Sequence, residues 1–265
     1  MKQTIYFILL LSLVTTSCRK TSVTEKNPDL PSIFALLNAM NKKTDATFGI
    51  GGNAPMKKGR AQFINLNFSG IFNGSDGLPK NIGEIRFGNQ SWSSNTSNYY
   101  SGQNVDRSLL GKMVHFKFTK SGRMMRRDGG EEDSLYVPQE VIVTYPEYSN
   151  DISDNTAAPY NTFTWEPDYE NTKGIVIMIE YRPEAIGNES FASNGHDELI
   201  RRAIVVEDNG EYALSESLFE DIPEGATIEI SIIRANYIIN ESEDDGYSYT
   251  VYAYNYKSGI YRYQW

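Results

Sequence analysis

In Gln62–Phe68, QFINLNF, every second residue is apolar: Ile64, Leu66 and Phe68 alternate with Asn65 and Asn67. Two is the side-chain period of a β-strand, so the pattern predicts a strand with one buried and one wet face. It returns in GEIRF, where Ile85 and Phe87 oppose Glu84 and Arg86, and in VHFKF, where Val114, Phe116 and Phe118 oppose His115 and Lys117. Later, ATIEISIIR sets Ile228, Ile230 and Ile232 against Thr227, Glu229 and Ser231. GIVIMIEY (174–181) is almost continuously apolar and predicts a central strand covered on both faces. Many such strands with no helical pattern between them predict an all-β chain of stacked sheets rather than a parallel α/β fold.

The order of these segments predicts two β-sandwich units. SLYVPQEVIVTY (134–145) closes the first series with an apolar strand after Pro138. PEYSNDISDNTAAPYNT (146–162) has no apolar period and carries two prolines, which marks a junction. The expected units are therefore residues 44–147 and 162–265, joined by 148–161. In the second, TFTW presents Phe163 and Trp165, and RRAIVVE supplies another strand. YSYTVYAYNY and IYRYQW flank Lys257-Ser258-Gly259, which has the composition of a hairpin turn. One or two short helices at most are expected. The clearest is Pro31–Lys43, where Ile33, Phe34, Leu37 and Met40 fall near helical spacing.

The chain holds one cysteine, Cys18, so no intrachain disulfide can brace it. Residues 1–17 run from Lys2 through an apolar stretch, Ile5–Val14, to Thr15, Thr16 and Ser17. That is the order of a secretory signal peptide, too short to span a bilayer, which needs about 20 apolar residues. The border TTSC resembles the lipobox of bacterial lipoproteins, with Thr15 where Leu is usual. The resemblance implies a lipidated Cys18 as the first residue after cleavage, and several acyl chains would make a firm anchor. Residues 18–43 are then expected to be a lipidated tether followed by the short helix.

The lipobox, SLYVPQEV, FTWEPDYENTKGIVIMIEY and EDNGEYALSESLFEDIPEGATIEISIIRANY together resemble envelope lipoproteins of Bacteroidota with immunoglobulin-like β-sandwiches. The resemblance implies an outer-membrane lipoprotein on the periplasmic or surface side. After Cys18 the chain reads Arg19-Lys20-Thr21-Ser22, without the acidic residues that mark surface export in that group. Asp133-Ser134-Leu135 is similar to the O-glycosylation acceptor triplet of the same bacteria, which makes Ser134 a candidate site.

The formal net charge of −9 argues against nucleic acid, which needs a basic stripe. The two histidines, His115 on the wet side of a strand and His196 in SNGHDEL, read as solvated surface groups. Neither a G-x-S-x-G elbow nor His-Glu-x-x-His occurs. NGSDG (73–77), DISDN (151–155) and ESEDDG (241–246) are oxygen-rich enough for calcium but lack EF-hand spacing and read as solvated turns. GIGG (49–52) lacks the strand–turn–helix setting of a phosphate loop. Glu166, Asp168 and Glu170 in WEPDYE would be the carboxylates of a glycoside hydrolase if two of them faced each other. The expectation is no cofactor, no metal and no catalytic residue.

Eighteen tyrosines leave the C-terminal aromatics as the richest feature. Tyr252, Tyr254 and Tyr256 share one strand face, and Tyr261, Tyr263 and Trp265 share a face of the next strand. Joined across a hairpin, the six would make a glycan platform; the plainer reading puts one row in the core and leaves the other partly exposed. The function expected is a lipid-anchored envelope protein with a non-enzymatic binding or assembly role, whose partner is an envelope protein or a glycan. The alternatives are glycan binding by the six-ring platform and a carboxylate- or calcium-dependent hydrolase.

Overall fold

The computed structural model describes residues 20–25, 44–57, 64–73, 77–119, 130–149, 151–241 and 248–265. The signal segment, Cys18 and the helix expected over Pro31–Lys43 lie outside them. The first half of the chain forms β1 (Lys20–Glu25), β2 (Ala46–Pro55), β3 (Asn65–Phe72), β4 (Glu84–Phe87), β5 (Gln90–Ser93), β6 (Tyr99–Gly102), β7 (Lys112–Thr119) and β8 (Gly130–Val137). The second half forms β9 (Val143–Tyr145), β10 (Thr156–Ala157), β11 (Thr162–Trp165), β12 (Ile175–Tyr181), β13 (Ile200–Val206), β14 (Glu211–Ala213), β15 (Thr227–Glu241) and β16 (Ser248–Tyr263). Among the described residues the one α-helix is α1 (Glu189–Ser193). The chain is an all-β sandwich, as its alternation predicts.

A nine-stranded sheet in the order β1-β13-β12-β15-β16-β2-β3-β6, with β10 beside β16, forms one layer. Two smaller sheets, β5-β4-β7-β8 and β14-β11-β9, form the other. Their positions follow from β16. Tyr249, Val251 and Ala253 enter a first core with Phe48, Phe68, Phe72, Phe116 and Phe118, whereas Tyr261 and Tyr263 enter a second core with Phe163, Trp165 and the isoleucines of β12 and β15. These five β16 residues are all odd-numbered and so share one face. Both small sheets therefore stack on this inner face of the large one. Each fully buried Phe contributes about 1.5–3 kcal/mol, so ring-rich cores replace the absent disulfides.

Two expectations are corrected here. Lys257-Ser258-Gly259 is not a turn: β16 runs straight through it, paired with β15 from Thr227↔Arg262 to Glu241↔Ser248. Lys257 and Gly259 stand there because the inner face changes character between the cores. The Lys257 ammonium meets the Glu140 carboxylate at 2.9 Å. At Gly259 a Cβ would lie 2.7 Å from the Tyr148 ring and 3.0 Å from the Met56 sulfur. Nor does 148–161 divide the chain into independent sandwiches at 44–147 and 162–265. The strand β2 pairs in parallel with β16, so one sheet carries both cores. The segment after Pro138 also leaves the first unit, because β9 pairs with β11 of the second.

Between the cores lies a buried polar seam. Along β15 the inner face reads Ile228, Ile230, Ile232, then Arg234 and Asn236, then Ile238; opposite Arg234 in register stands Asn255. Residues 138–142 cross this seam, and its side chains satisfy their backbone. The Asn255 amide donates to the Pro138 and Gln139 carbonyls (3.2 and 3.0 Å), and its oxygen accepts from the Val141 N–H at 2.9 Å. Arg234, 0 % exposed, forks onto Asp208 at 2.7 and 2.9 Å and donates to the carbonyls of Gln139, Glu140 and Glu166. Asp208 also accepts from the Trp165 indole N–H at 2.8 Å and from Asn171. The Glu140 carboxylate takes Lys257, Arg107 and the Ile64 N–H. Buried ions are tolerated only when paired and hydrogen-bonded, and here every partner comes from another element.

Within the tether and short helix expected over 18–43, the described residues form a strand. Lys20–Glu25 lies parallel to β13, from Lys20↔Ile200 to Glu25↔Val205. It closes a sheet edge that would otherwise present a row of open backbone groups.

Candidate functional site

The six-ring platform does not form. Because β16 continues without a turn, Tyr261 and Tyr263 point to the inner face and are buried in the second core, where Tyr263 stacks on Phe219 at 4.8 Å. Trp265 stands past the strand end, 67 % exposed. The even-numbered residues Tyr252, Tyr254 and Tyr256 remain together on the outer face, their rings near-parallel at 6.0 and 6.5 Å.

The ladder exists because of its neighbour. In register, Tyr252 lies beside Gly49, Tyr254 beside Gly51 and Tyr256 beside Asn53. A Cβ on Gly51 would sit 2.3 Å from the Tyr254 ring, and one on Gly49 would sit 2.8 Å from the Tyr252 ring. The rings thus lean across β2 into the room the glycines leave, and the Tyr252 hydroxyl reaches Ser69 of β3. GIGG therefore has a packing role, leaving room for rings on a strand.

Three transverse rows result. They read Tyr237, Tyr252, Gly49, Ser69; then Ala235, Tyr254, Gly51, Asn67; then Ile233, Tyr256, Asn53, Asn65. Tyr252 is buried, Tyr254 and Tyr256 are half-buried, and Asn53, Asn65, Asn67 and Ser69 are exposed. From β15 to β6 the outward positions are Thr, Gly, Asn, Ser, Tyr, Ala, Ile and Pro over 231–239, 250–260, 47–55, 65–71 and 99–101. None of them carries a charge, in a chain where 22 % of residues do. The Lys173 ammonium, 5.7 Å over the Tyr237 ring, stands beside this area. Beside the ladder on the same face, Val176, Ala203, Val205 and Ile233 form a buried apolar cluster against which Met178 and Tyr256 pack; farther along, Glu180 is held between Arg182 and Arg201.

Burial raises the hydroxyl pKa of Tyr252 and of Tyr254, the latter further through Tyr256. A raised folded value favours the neutral phenol, so its stabilisation is complete below the ordinary tyrosine range near 10 and is lost as pH climbs through the folded values. Alkaline titration is expected to show a fraction of tyrosines ionising late, together with loss of the folded state. Following the tyrosinate absorbance band alongside circular dichroism checks this.

The other sequence candidates are scattered. Ser134 Oγ and His115 Nδ1 form a cross-strand pair at 2.8 Å on the exposed side of β7 and β8. His196 is exposed, and its carbonyl accepts from the Tyr181 hydroxyl. Asp168 is fully buried and accepts from the Tyr136 hydroxyl at 2.7 Å and the Gln139 N–H at 2.8 Å, while Glu166 and Glu170 are exposed. The three therefore do not make a facing carboxylate pair. In 151–155, Asp151 accepts from the Ser153 N–H and hydroxyl, which lowers its pKa, and Asn155 bonds the Ser149 backbone. That loop closes on itself. Residues 74–76 and 242–247, which hold most of the other two acidic loops, lie outside the described residues. Among the described residues no group of three or more His, Cys, Asp or Glu is placed to hold a metal ion.

Compared with family models and with curated proteins, the sequence matches none.

Proposed function

We propose that this chain is a lipid-anchored protein of the bacterial outer membrane with a non-enzymatic binding role, exercised through the outer face of its large sheet. The observation that carries the reading is the uncharged strip of Tyr254, Tyr256, Asn53, Asn65 and Asn67. Exposed sheet faces of acidic proteins ordinarily scatter Lys and Glu between their apolar residues, which keeps them soluble and unpaired. A strip of exposed amides and hydroxyls bordered by half-buried rings and carrying no charge is instead the composition of a recognition surface. The anchor reading is supported by the TTSC border and the single cysteine.

Replacing Cys18 with alanine is expected to move the protein from the membrane fraction to the soluble fraction of its host. It should also abolish incorporation of labelled palmitate. A native protein with an unacylated N-terminus would overturn the anchor, and unchanged ligand capture after Tyr256→Ala and Asn67→Ala would overturn the binding face.

A further inference from the structure

We infer that the outer-face strip binds a neutral polysaccharide, laid along β16 with its sugar rings against Tyr254 and Tyr256 and its hydroxyls toward Asn53, Asn65 and Asn67. The inference deepens the binding function proposed above and rests on it.

The first argument is electrostatic. A chain of net charge −9 repels anionic polymers unless a basic patch receives them, and the strip holds no cation. A cationic ligand would be met by carboxylates, and the strip has none. An uncharged ligand is the class that needs no ionic partner on such a surface. The second argument concerns what the groups can do. The apolar C–H faces of pyranose rings pack on aromatic surface, while their hydroxyls both donate and accept. Asn side chains also do both, with two donors and an acceptor each. Three exposed Asn on β2 and β3 lie one and two strand spacings from the ring ladder, which at about 4.8 Å per strand is the reach of one sugar ring.

The third argument is the form of the surface. Two glycines of β2 let the tyrosine rings lean over rather than stand up. The accessible part of the strip, exposed Asn53, Asn65 and Asn67 bordered by half-buried Tyr254 and Tyr256, runs with the strands, which suits an internal stretch of a polymer better than a small molecule that needs enclosure. The Tyr252 hydroxyl is already spent on Ser69, so Tyr252 supports the ladder, and Tyr254 and Tyr256 make the contact.

The test is native affinity electrophoresis of the full-length chain in gels containing neutral polymers (amylopectin, mixed-linkage β-glucan, galactomannan) or anionic ones (polygalacturonate, chondroitin sulfate). At least one neutral polymer is expected to retard the protein, with no effect of added salt. The Tyr254→Ala, Tyr256→Ala double variant should weaken binding at least about tenfold. Because those rings also pack on β2, Asn65→Ala and Asn67→Ala serve as the second test: both are exposed and should weaken binding several-fold without shifting thermal unfolding. Neutral-polymer binding unchanged in all four substitutions would overturn the site, and salt-sensitive retention by the anionic polymers would overturn the ligand class. A photo-cross-linker at position 256, used in the native host, separates the remaining outcomes. Capture of an envelope protein with no glycan retention would leave the binding function standing and remove the glycan. Cross-linking to the chain's own residues 26–43, or no ligand of either kind, would remove both.

Discussion

Arg234→Ala is expected to cost about 3–5 kcal/mol of folding stability, the range for breaking a buried pair from one side. The loss is large because the substitution does more than delete one ion pair. Asp208 is left in a buried site with only Trp165 and Asn171 as donors. The carbonyls of Glu140 and Glu166 lose a donor together, and each buried unsatisfied acceptor adds its own desolvation cost of about 1–3 kcal/mol. Arg234→Lys should recover little, since a single ammonium cannot fork onto Asp208 while also reaching the carbonyls of 139–140 and of Glu166. Urea denaturation followed by fluorescence reads the effect. Trp92 packs on the first core and Trp165 lies in the second, so two tryptophans bracket the seam. In the wild type, transitions from single-tryptophan versions should coincide. If they separate already, the seam does not couple the cores.

Gly49→Ala is expected to destabilise by about 3 kcal/mol, at the upper end of what overpacking costs. The added methyl would meet the Tyr252 carbonyl oxygen at 2.0 Å and its carbonyl carbon at 2.8 Å. That neighbour is main chain in the adjacent strand and cannot rotate away, so relief requires the parallel β2–β16 pairing to open. Asn53→Ala in the same strand is the control: its side chain is exposed, and a surface change of this kind falls within about 0.5 kcal/mol. The midpoint of urea denaturation separates the two. A Gly49→Ala protein as stable as Asn53→Ala would mean that β2 does not lie against β16 at this register.

The strands that could be read from the sequence are those whose environment repeats every two residues. Ile85 and Phe87, Phe116 and Phe118, and Ile228 to Ile232 alternate because one side of each faces a core of uniform chemistry. Periodicity loses its meaning where a face changes chemistry midway along a strand. Lys257, Ser258 and Gly259 are common in turns, and equally suitable where an apolar face gives way to a buried carboxylate whose residue, Glu140, is 117 positions earlier. One local signal was present: Arg234 falls on the same parity as Ile228, Ile230 and Ile232, so a charge stood in a core register. The ladder's support was illegible for a different reason. GIGG and YAYNY lie far apart in the chain, and only their parallel pairing, Gly49↔Tyr252 and Gly51↔Tyr254, reveals that the glycines make room for the rings.

The place of β16 in both cores has a consequence for how the protein is made. Ala46 pairs with Tyr249, some two hundred positions later, and Tyr261 completes the other interior. Neither half can therefore close before residues 248–263 are available, and long-range parallel pairing is slow to nucleate. Under the export proposed above, late closure is an advantage: neither core is locked until β16 has crossed the membrane.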